Sequence, residues 1–141
     1  MMSTERIHGP TVAMAMTVSP VVISEDQAIA GVAELLAGYE ISALPVVDRG
    51  DHLVGVISAT DLVRLQGAAL PWTGWHGLIV RDLMTRPAQT IDGEASLDDA
   101  ARLMTAMGVH RLVVVDVDRT PIGVISQGDL VREIAEACDD C

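Results

Sequence analysis

The chain has 141 residues, half of them apolar and 21% charged, a composition typical of a globular protein rather than a disordered one. Nine basic residues, all arginine, stand against twenty acidic ones, and the net charge of −11 argues against nucleic acid or anionic lipid as a partner. The uncharged runs 10–24 and 66–80 are shorter than the ~20 residues of a membrane helix, and a signal-peptide pattern is absent, so we expect a cytoplasmic protein with no membrane partner.

The first half of the chain predicts the order β-α-β-β-α. A short apolar strand at Val21–Ile23 is followed by a helix, in which apolar residues recur at three-to-four spacing over residues 29–36. Two runs rich in β-branched residues, Leu44–Asp48 and Leu53–Ser58, flank a turn and predict two strands. A second helix begins near Ala59 and extends to about Leu65.

The segment 67–79 has the composition of a linker, with Pro71 and three glycines. It also contains Trp72 and Trp75. We expect these two side chains to pack over the hydrophobic core, and stacking on a ligand remains the alternative.

The second half of the chain repeats the first at an offset of 68 positions. Leu44–Asp48 matches Leu112–Asp116, and Gly55–Ser58 matches Gly123–Ser126 without a change. The repeats span residues 12–66 and 80–137, between tails at 1–11 and 138–141. One such repeat buries too little surface to be stable alone, so we expect the two to pack as a pseudo-two-fold α/β pair.

The spacing Ser58-x-x-Asp61 allows two interpretations, and its copy Ser126-x-x-Asp129 allows the same two. As a capping box, the hydroxyl and the carboxylate satisfy free backbone N–H groups at the start of a helix. As a ligand site, the helix N-terminus attracts a phosphate and the carboxylate accepts hydrogen bonds from the hydroxyls of a ribose.

The repeat order, the two strands ending in Val-Val-Asp and the two Gly-Val-Ile-Ser-x-x-Asp segments strongly resemble a tandem pair of CBS (cystathionine-β-synthase-type) domains. The resemblance covers residues 12–137. It implies a cleft between the repeats that binds an adenosine compound, a homodimer, and regulation of a separate partner protein that the sequence does not identify. It requires no cofactor, and AMP, ADP, ATP and S-adenosylmethionine are the ligands that it suggests.

The resemblance also implies a role for individual residues. It assigns the ribose to Asp61 and Asp129, and it places Ser58, Thr60 and Ser126 near the phosphate. Adenine is assigned to apolar side chains and backbone at Thr17, Val21, Ile41, Thr85, Gln89 and Val109. Gly128 departs from the hydroxyl residue that stands at Thr60, so the second helix loses one phosphate contact.

The residues before the second strand differ between the repeats. The first repeat has the neutral Ser42, whereas the second has His110 and Arg111, which the resemblance makes phosphate ligands. A guanidinium forms two parallel hydrogen bonds to a phosphate and a serine cannot. Because each aspartate is expected to reach the other repeat's first strand, we predict that the cleft beside Asp61 uses Arg111 and is the better phosphate site. An exposed arginine and a satisfied histidine are the alternative.

We therefore expect a regulatory nucleotide-binding module without catalytic or metal-binding residues. The rival interpretation is a ligand-free scaffold in which the Ser-x-x-Asp motifs are only helix caps. A third possibility is a redox or metal role for Cys138 and Cys141. It is weakened because this motif follows a helix, and redox pairs usually precede one, where the helix dipole lowers the thiol pKa.

Overall fold

The computed structural model describes residues 9–19, 21–67 and 77–139 of the chain. The predictions for Trp72, Trp75 and Cys141, and for most of the linker and the N-terminal tail, lie outside the described residues. The elements in chain order are α1 (Val12–Ala15), β1 (Thr17–Val18), β2 (Ile23–Ser24), α2 (Ile29–Tyr39), β3 (Ala43–Val47), β4 (Leu53–Ser58), α3 (Ala59–Gly67), α4 (Val80–Leu83), β5 (Thr90–Asp92), α5 (Leu97–Met107), β6 (Arg111–Val115), β7 (Pro121–Ser126) and α6 (Gln127–Asp139).

The α/β fold and the repeated order β-α-β-β-α are confirmed, as β2-α2-β3-β4-α3 and β5-α5-β6-β7-α6. The first strand of each repeat lies slightly later than predicted, at Ile23–Ser24 and Thr90–Asp92. The sequence did not predict β1 and the four-residue helices α1 and α4, because such short segments show no hydrophobic period.

The described residues fall into two compact units whose limits differ from those of the repeats. The continuous unit contains residues 19–88, and the split unit combines residues up to 18 with those from 89 onward. The opening segment of each sequence repeat therefore belongs to the unit that holds the rest of the other repeat.

In the continuous unit, a three-stranded sheet in the order β2-β3-β4 packs against helices. Strands β2 and β3 are parallel, and β3 and β4 are antiparallel. The apolar stripe of α2 buries Val32 and Leu36, and α4 adds the fully buried Val80 to the same core. Burying one such aliphatic side chain contributes about 1.5–3 kcal/mol, so the apolar contacts of Val80 help to anchor α4.

The split unit has a four-stranded sheet in the order β1-β7-β6-β5. Its core contains Ala100 and Met104 of α5 together with Val12 of α1, which is fully buried. Ser96 caps α5 by accepting a hydrogen bond from the Asp99 amide, and Gly108 ends the helix in the left-handed conformation.

Within residues 9–19, 21–67 and 77–139, none of the helices has both the length and the apolar content that a bilayer crossing demands. The same part of the chain contains no group of three or more His, Cys, Asp or Glu side chains placed to hold a metal ion.

Candidate functional site

The Ser58–Asp61 motif stands where β4 passes into α3. The Ser58 amide and hydroxyl both donate to Asp61 Oδ2, at 2.8 and 3.0 Å, and the Asp61 amide donates to Ser58 Oγ at 3.2 Å. Both residues are buried, with 2% and 7% of their surface exposed. The capping geometry that the spacing predicts is therefore present, and it occupies only one of the two carboxylate oxygens.

The second oxygen, Asp61 Oδ1, has weaker partners. It accepts a hydrogen bond from Thr85 Oγ1 at 3.3 Å, and Arg64 Nη1 stands 3.9 Å away, beyond hydrogen-bond distance. A carboxylate oxygen accepts about two hydrogen bonds, so Oδ1 retains capacity for a further donor. Thr85 follows α4, and its bond to Asp61 joins the start of the second sequence repeat to the aspartate of the first.

Ser42, Thr60, Val21 and Ile41 are the other predicted site residues in the continuous unit. The Ser42 carbonyl accepts a hydrogen bond from the Ala59 amide at 2.8 Å and so satisfies the first N–H of α3. Thr60 is exposed in the first turn of α3. Val21 and Ile41 are partly buried against the core cluster of the unit.

The backbone of Thr85 is engaged by the neighbouring strand. Its amide and carbonyl pair with Val56 of β4, at 2.9 and 3.0 Å. In the split unit, Thr17 of β1 pairs with Val124 of β7 at the matched positions. The expected backbone contact to adenine at these residues would have to use the remaining lone pair of a carbonyl that the sheet already engages.

The Ser126–Asp129 motif of the split unit repeats the cap. The Ser126 amide and hydroxyl donate to Asp129 Oδ2 at 2.8 and 3.1 Å, and Asp129 is 3% exposed. The difference lies at Oδ1, to which Arg132 Nη1 donates at 3.2 Å. The oxygen that would accept a ribose hydroxyl is therefore already bonded to a cation in this motif.

Arg111, at the start of β6, is the predicted phosphate ligand with the most distinctive environment. Its Nε is a buried polar atom that has no hydrogen-bond partner among the described residues. An unsatisfied buried donor costs roughly 1–3 kcal/mol, and an anion beside it would remove that cost. The neighbouring His110 is exposed, and its carbonyl accepts the Gln127 amide at 2.9 Å.

The remaining predicted residues of the split unit are Gln89 and Val109. The Gln89 carbonyl accepts a hydrogen bond from the Val113 amide at 2.8 Å, and Val109 packs partly buried against the core. Asp61 and Arg111 lie in different units. The prediction that they serve the same ligand stays a prediction.

A third Ser-x-x-Asp motif, Ser96–Asp99 at the start of α5, provides an internal comparison. The Asp99 amide donates to Ser96 Oγ at 3.0 Å, so it too is a capping box. Its carboxylate differs because the Asp99 side chain is 54% exposed and bonded to Arg102. The pKa of Asp99 is lowered, chiefly by the hydrogen bond from Arg102. Burial therefore distinguishes the duplicated motifs from an ordinary cap.

The sequence analysis missed two residues that touch the aspartates, Arg64 and Arg132. Each follows its aspartate by three positions in a helix, a spacing that brings side chains together and was readable from the sequence. Which of them closes to hydrogen-bond distance was not readable, because both side chains are exposed and depend on local rotamers.

Comparison with known proteins supports the resemblance. The model of the CBS domain matches residues 12–67 and again residues 80–136. The chain is 32% identical over 123 residues to the CBS domain-containing protein CBSX2, chloroplastic, of Arabidopsis thaliana, covering 70% of this chain and 52% of CBSX2. The chain thus spans about half the length of that relative.

Solved structures show the same fold. CBSX2 in complex with AMP matches with a TM-score of 0.69 and 34% identity, covering 92% of this chain and 98% of that one. The CBS domain of a CBS domain-containing membrane protein from Sphaerobacter thermophilus matches with a TM-score of 0.74 and 27% identity, over 91% and 90%. The CBS pair of protein MJ0100, solved with 5′-methylthioadenosine and S-adenosylmethionine, matches with a TM-score of 0.72 and 23% identity, covering 88% of this chain and 98% of that one. At this identity the match shows only that the two chains share a fold.

Proposed function

The chain belongs to the CBS-domain family, as a tandem pair of CBS domains, and from this premise we propose that it is a regulatory module that binds an adenosine-type nucleotide. The observation that carries the proposal is the buried carboxylate of Asp61, whose Oδ1 has a single hydrogen bond of 3.3 Å. A buried carboxylate with a spare acceptor favours a donor from a ligand, since an unmet charge in such a place is costly.

We assign the ribose to Asp61 Oδ1. The two hydroxyls of a ribose are donors, and the hydroxyl of Thr85 already approaches the same oxygen from within the unit. The cap at Oδ2 holds the carboxylate in one orientation, so the acceptor is preorganised before the ligand arrives.

We assign the phosphate to the N-terminus of α3. The amides of Ala59 and Asp61 already donate to Ser42 O and Ser58 Oγ, which directs the phosphate to the amide and hydroxyl of Thr60. The positive end of the helix dipole adds to this attraction. In the split unit Gly128 stands at the matched position and offers no hydroxyl.

The two motifs are proposed to be unequal. A ribose at Asp129 must displace the hydrogen bond from Arg132, whereas a ribose at Asp61 adds to an open oxygen. CBSX2, solved with AMP, makes a mononucleotide the first ligand to examine. We further propose that adenine contacts the apolar side chains of Val21 and Ile41 at one site and that of Val109 at the other.

The output of the proposed module is a change of partner affinity or of oligomeric state. A ligand shifts such an equilibrium by the difference between its affinities for the two states. We propose a homodimer, because Val63 on α3 and Val131 on α6 are 67% and 62% exposed. We place the protein in the cytoplasm, where a free thiol such as that of Cys138 is kept reduced, and we assign it no catalytic step.

Thermal unfolding with AMP, ADP, ATP or S-adenosylmethionine tests the proposal. A ligand at 100 times its Kd stabilises the folded state by about 2.7 kcal/mol, which raises the Tm by about 5–10 °C. Asp61→Asn should remove most of this rise. Ser96→Ala is the matched control, because it deletes a cap of the same spacing, lowers the Tm of the free protein and leaves the ligand-induced rise intact.

The outcomes separate the rival functions. A Tm unmoved by all four ligands at millimolar concentration would favour the ligand-free scaffold. An equal rise in wild type and Asp61→Asn would remove the ribose from Asp61. A reversible mass loss of two hydrogens between Cys138 and Cys141 would support the redox alternative.

A further inference from the structure

Helices α3, α5 and α6 each start at the same longer pattern, Ser-x-x-Asp-x-x-Arg. The pattern begins at Ser58, Ser96 and Ser126. Its arginine stands one helical turn after the aspartate, so the guanidinium can reach the carboxylate oxygen Oδ1. Arg102 Nη2 donates to this oxygen at 2.8 Å and Arg132 Nη1 at 3.2 Å, whereas Arg64 Nη1 stays 3.9 Å away. The three motifs thus share one pattern and differ in whether the arginine closes on the aspartate.

The duplicated motifs differ in the group that occupies Oδ1. The hydroxyl of Thr85 donates to Asp61 Oδ1 at 3.3 Å. The matched residue of the split unit is Thr17, whose hydroxyl forms no hydrogen bond within the described part of the chain. Arg132 occupies Asp129 Oδ1 instead. One aspartate therefore has a neutral hydroxyl at this oxygen, and the other has a guanidinium.

The contact between Arg132 and Asp129 joins an exposed cation to a buried anion. The side chain of Asp129 is 3% exposed and that of Arg132 is 64% exposed. A buried carboxylate has little water around it, so the guanidinium is the main partner of its Oδ1. Arg132 itself can withdraw into solvent without becoming a buried, unpaired charge. The contact is therefore one that a substitution can remove without disturbing the core.

We propose that Arg132 is a specificity-determining residue that closes the Asp129 motif to nucleosides. This inference rests on the proposed function, in which the buried aspartate accepts the ribose hydroxyls. A ribose at Asp129 has to break a charge-assisted hydrogen bond, whereas a ribose at Asp61 shares its oxygen with a neutral hydroxyl. Removal of the Arg132 guanidinium then turns the motif of the split unit into a second ribose site.

The test is calorimetric titration of adenosine into the full chain carrying Asp61→Asn, so that binding reports the Asp129 motif. Adenosine is neutral, so the loss of one cation does not change its long-range attraction to the protein. Because Arg132 is largely exposed, we expect a gain in affinity of roughly five- to ten-fold on adding Arg132→Met, below the full value of a charged hydrogen bond. Arg132→Ala should give the same gain, and a further Asp129→Asn should remove it. Arg102→Met is the matched control, which removes an equal charge from the exposed Ser96 cap and should leave the affinity unchanged.

A double-mutant cycle tests the closing contact without any ligand. In urea unfolding, Asp129→Asn and Arg132→Met should be coupled by a factor of roughly 1.4–5 in the folding equilibrium constant. The pair Asp61→Asn and Arg64→Met should be additive, because Arg64 stands beyond hydrogen-bond distance. The same unfolding curves show that each variant folds.

The outcomes distinguish this inference from the proposed function. A wild type that binds adenosine, together with no gain from Arg132→Met or Arg132→Ala, would overturn the role of Arg132 and leave the proposed function intact. An equal gain from Arg102→Met would trace the effect to net charge and overturn it as well. Additive effects of Asp129→Asn and Arg132→Met would show that the closing contact is not made. Failure of adenosine and AMP to bind the wild type and every variant would overturn both proposals.

Discussion

At the scale of single residues, Gly55 of β4 and Gly123 of β7 allow the opening segment of a repeat to lie close against each strand. A Cβ placed on Gly123 would lie 2.6 Å from the Thr17 carbonyl oxygen and 2.6 Å from Met16 Sδ. Gly55 stands at the matched position of β4, where a Cβ would meet the Thr85 carbonyl oxygen at 2.7 Å. Both contacts involve backbone that cannot move aside like a flexible side chain, so only glycine fits.

We predict that Gly123→Ala destabilises the protein by about 1–3 kcal/mol, the usual cost of overpacking. Gly38→Ala is the control, because Gly38 is exposed in α2 and a Cβ there meets nothing within 4 Å. Gly38→Ala should stabilise by about 0.5–1 kcal/mol, since alanine is the better helix former. The midpoints of urea unfolding measure both changes, and a neutral Gly123→Ala would contradict the close approach.

A second residue-scale prediction concerns Arg111. Its buried Nε lacks a partner in the described residues, and a charged hydrogen bond to phosphate is worth about 1.5–3 kcal/mol. Arg111→Ala should therefore weaken AMP roughly 10–100-fold and adenosine far less. Ser42→Ala, at the first-repeat position that matches the neighbouring His110, should change neither affinity appreciably. Calorimetric titration distinguishes the outcomes, and equal losses for AMP and adenosine would make Arg111 a support of the fold.

At the scale of elements, an ion-pair cluster holds α4 in the continuous unit. Arg81 of α4 pairs with Glu25 at 3.3 Å and with Asp26, and Arg49 pairs with Asp26 at 3.3 Å. At the matched positions of the split unit, Ala13, Gly93 and Val117 replace Arg81, Glu25 and Arg49. The buried valine and the two backbone bonds are common to both helices: the amides of Val12 and Ala13 donate to the carbonyls of Ala95 and Gly93, as those of Val80 and Arg81 donate to Gln27 and Glu25. The ion pairs are therefore an addition at α4.

We predict that this cluster makes stability depend on pH and salt. The hydrogen bond from Arg49, and then that from Arg81, lowers the pKa of Asp26, while the hydrogen bond to Glu25 raises the pKa of Arg81. A carboxyl with a lowered folded pKa contributes stability above its unfolded pKa of about 3.9 and loses it as the pH falls through the folded value. Arg81→Ala should lower the Tm at pH 7, and its difference from wild type should shrink below about pH 4.

Salt should shrink the same difference, because the Arg81 side chain is 42% exposed and its attraction to the partly exposed carboxylates is screened. Arg86→Ala is the control, since it removes an equal charge from an exposed residue that forms no ion pair with the described residues. Melting curves at several pH values and salt concentrations provide the measurement. A Tm difference for Arg81→Ala that is independent of both would exclude an ionic role for the cluster.

The sequence predicted the longer elements well because their signals are local. The apolar spacing of α2 and the Val-Val-Asp strands need only their own residues, and duplication doubled each observation. The sequence did not predict that the opening segment of each repeat belongs to the unit that holds the rest of the other repeat. The contacts responsible, from Thr85 to Asp61 and from Thr17 to Val124, join residues that are far apart in the chain. The burial that separates Asp61 from Asp99 likewise follows from tertiary packing rather than from the shared Ser-x-x-Asp spacing.

At the scale of the whole molecule, duplication has produced similar folds with different chemistry. The matched aspartates form the same kind of cap. Asp61 Oδ1, however, accepts a hydrogen bond from the Thr85 hydroxyl, whereas Asp129 Oδ1 accepts one from the Arg132 guanidinium. The matched helix pairs differ as well, because Asp98 of α5 and Glu133 of α6 line a pocket, whereas Ala30 of α2 and Leu65 of α3 stand at the corresponding positions of the first repeat. At these matched positions the first repeat is therefore uncharged and the second is acidic.

The last prediction is a homodimer whose interface includes α3 of the continuous unit. Val63 on α3 is 67% exposed and Tyr39 at the end of α2 is 53% exposed, and burying a valine contributes about 1.5–3 kcal/mol per copy. Val63→Asp should raise the dimer Kd at least ten-fold, because it loses this burial and places a carboxylate in the interface. Val117→Asp, at a residue 82% exposed between β6 and β7, is the control and should leave the Kd unchanged.

Sedimentation equilibrium across micromolar concentrations measures both variants. A 14.9 kDa monomer in the wild type at every concentration would refute the dimer, and equal weakening by Val63→Asp and Val117→Asp would trace the effect to the added charge rather than to the α3 face.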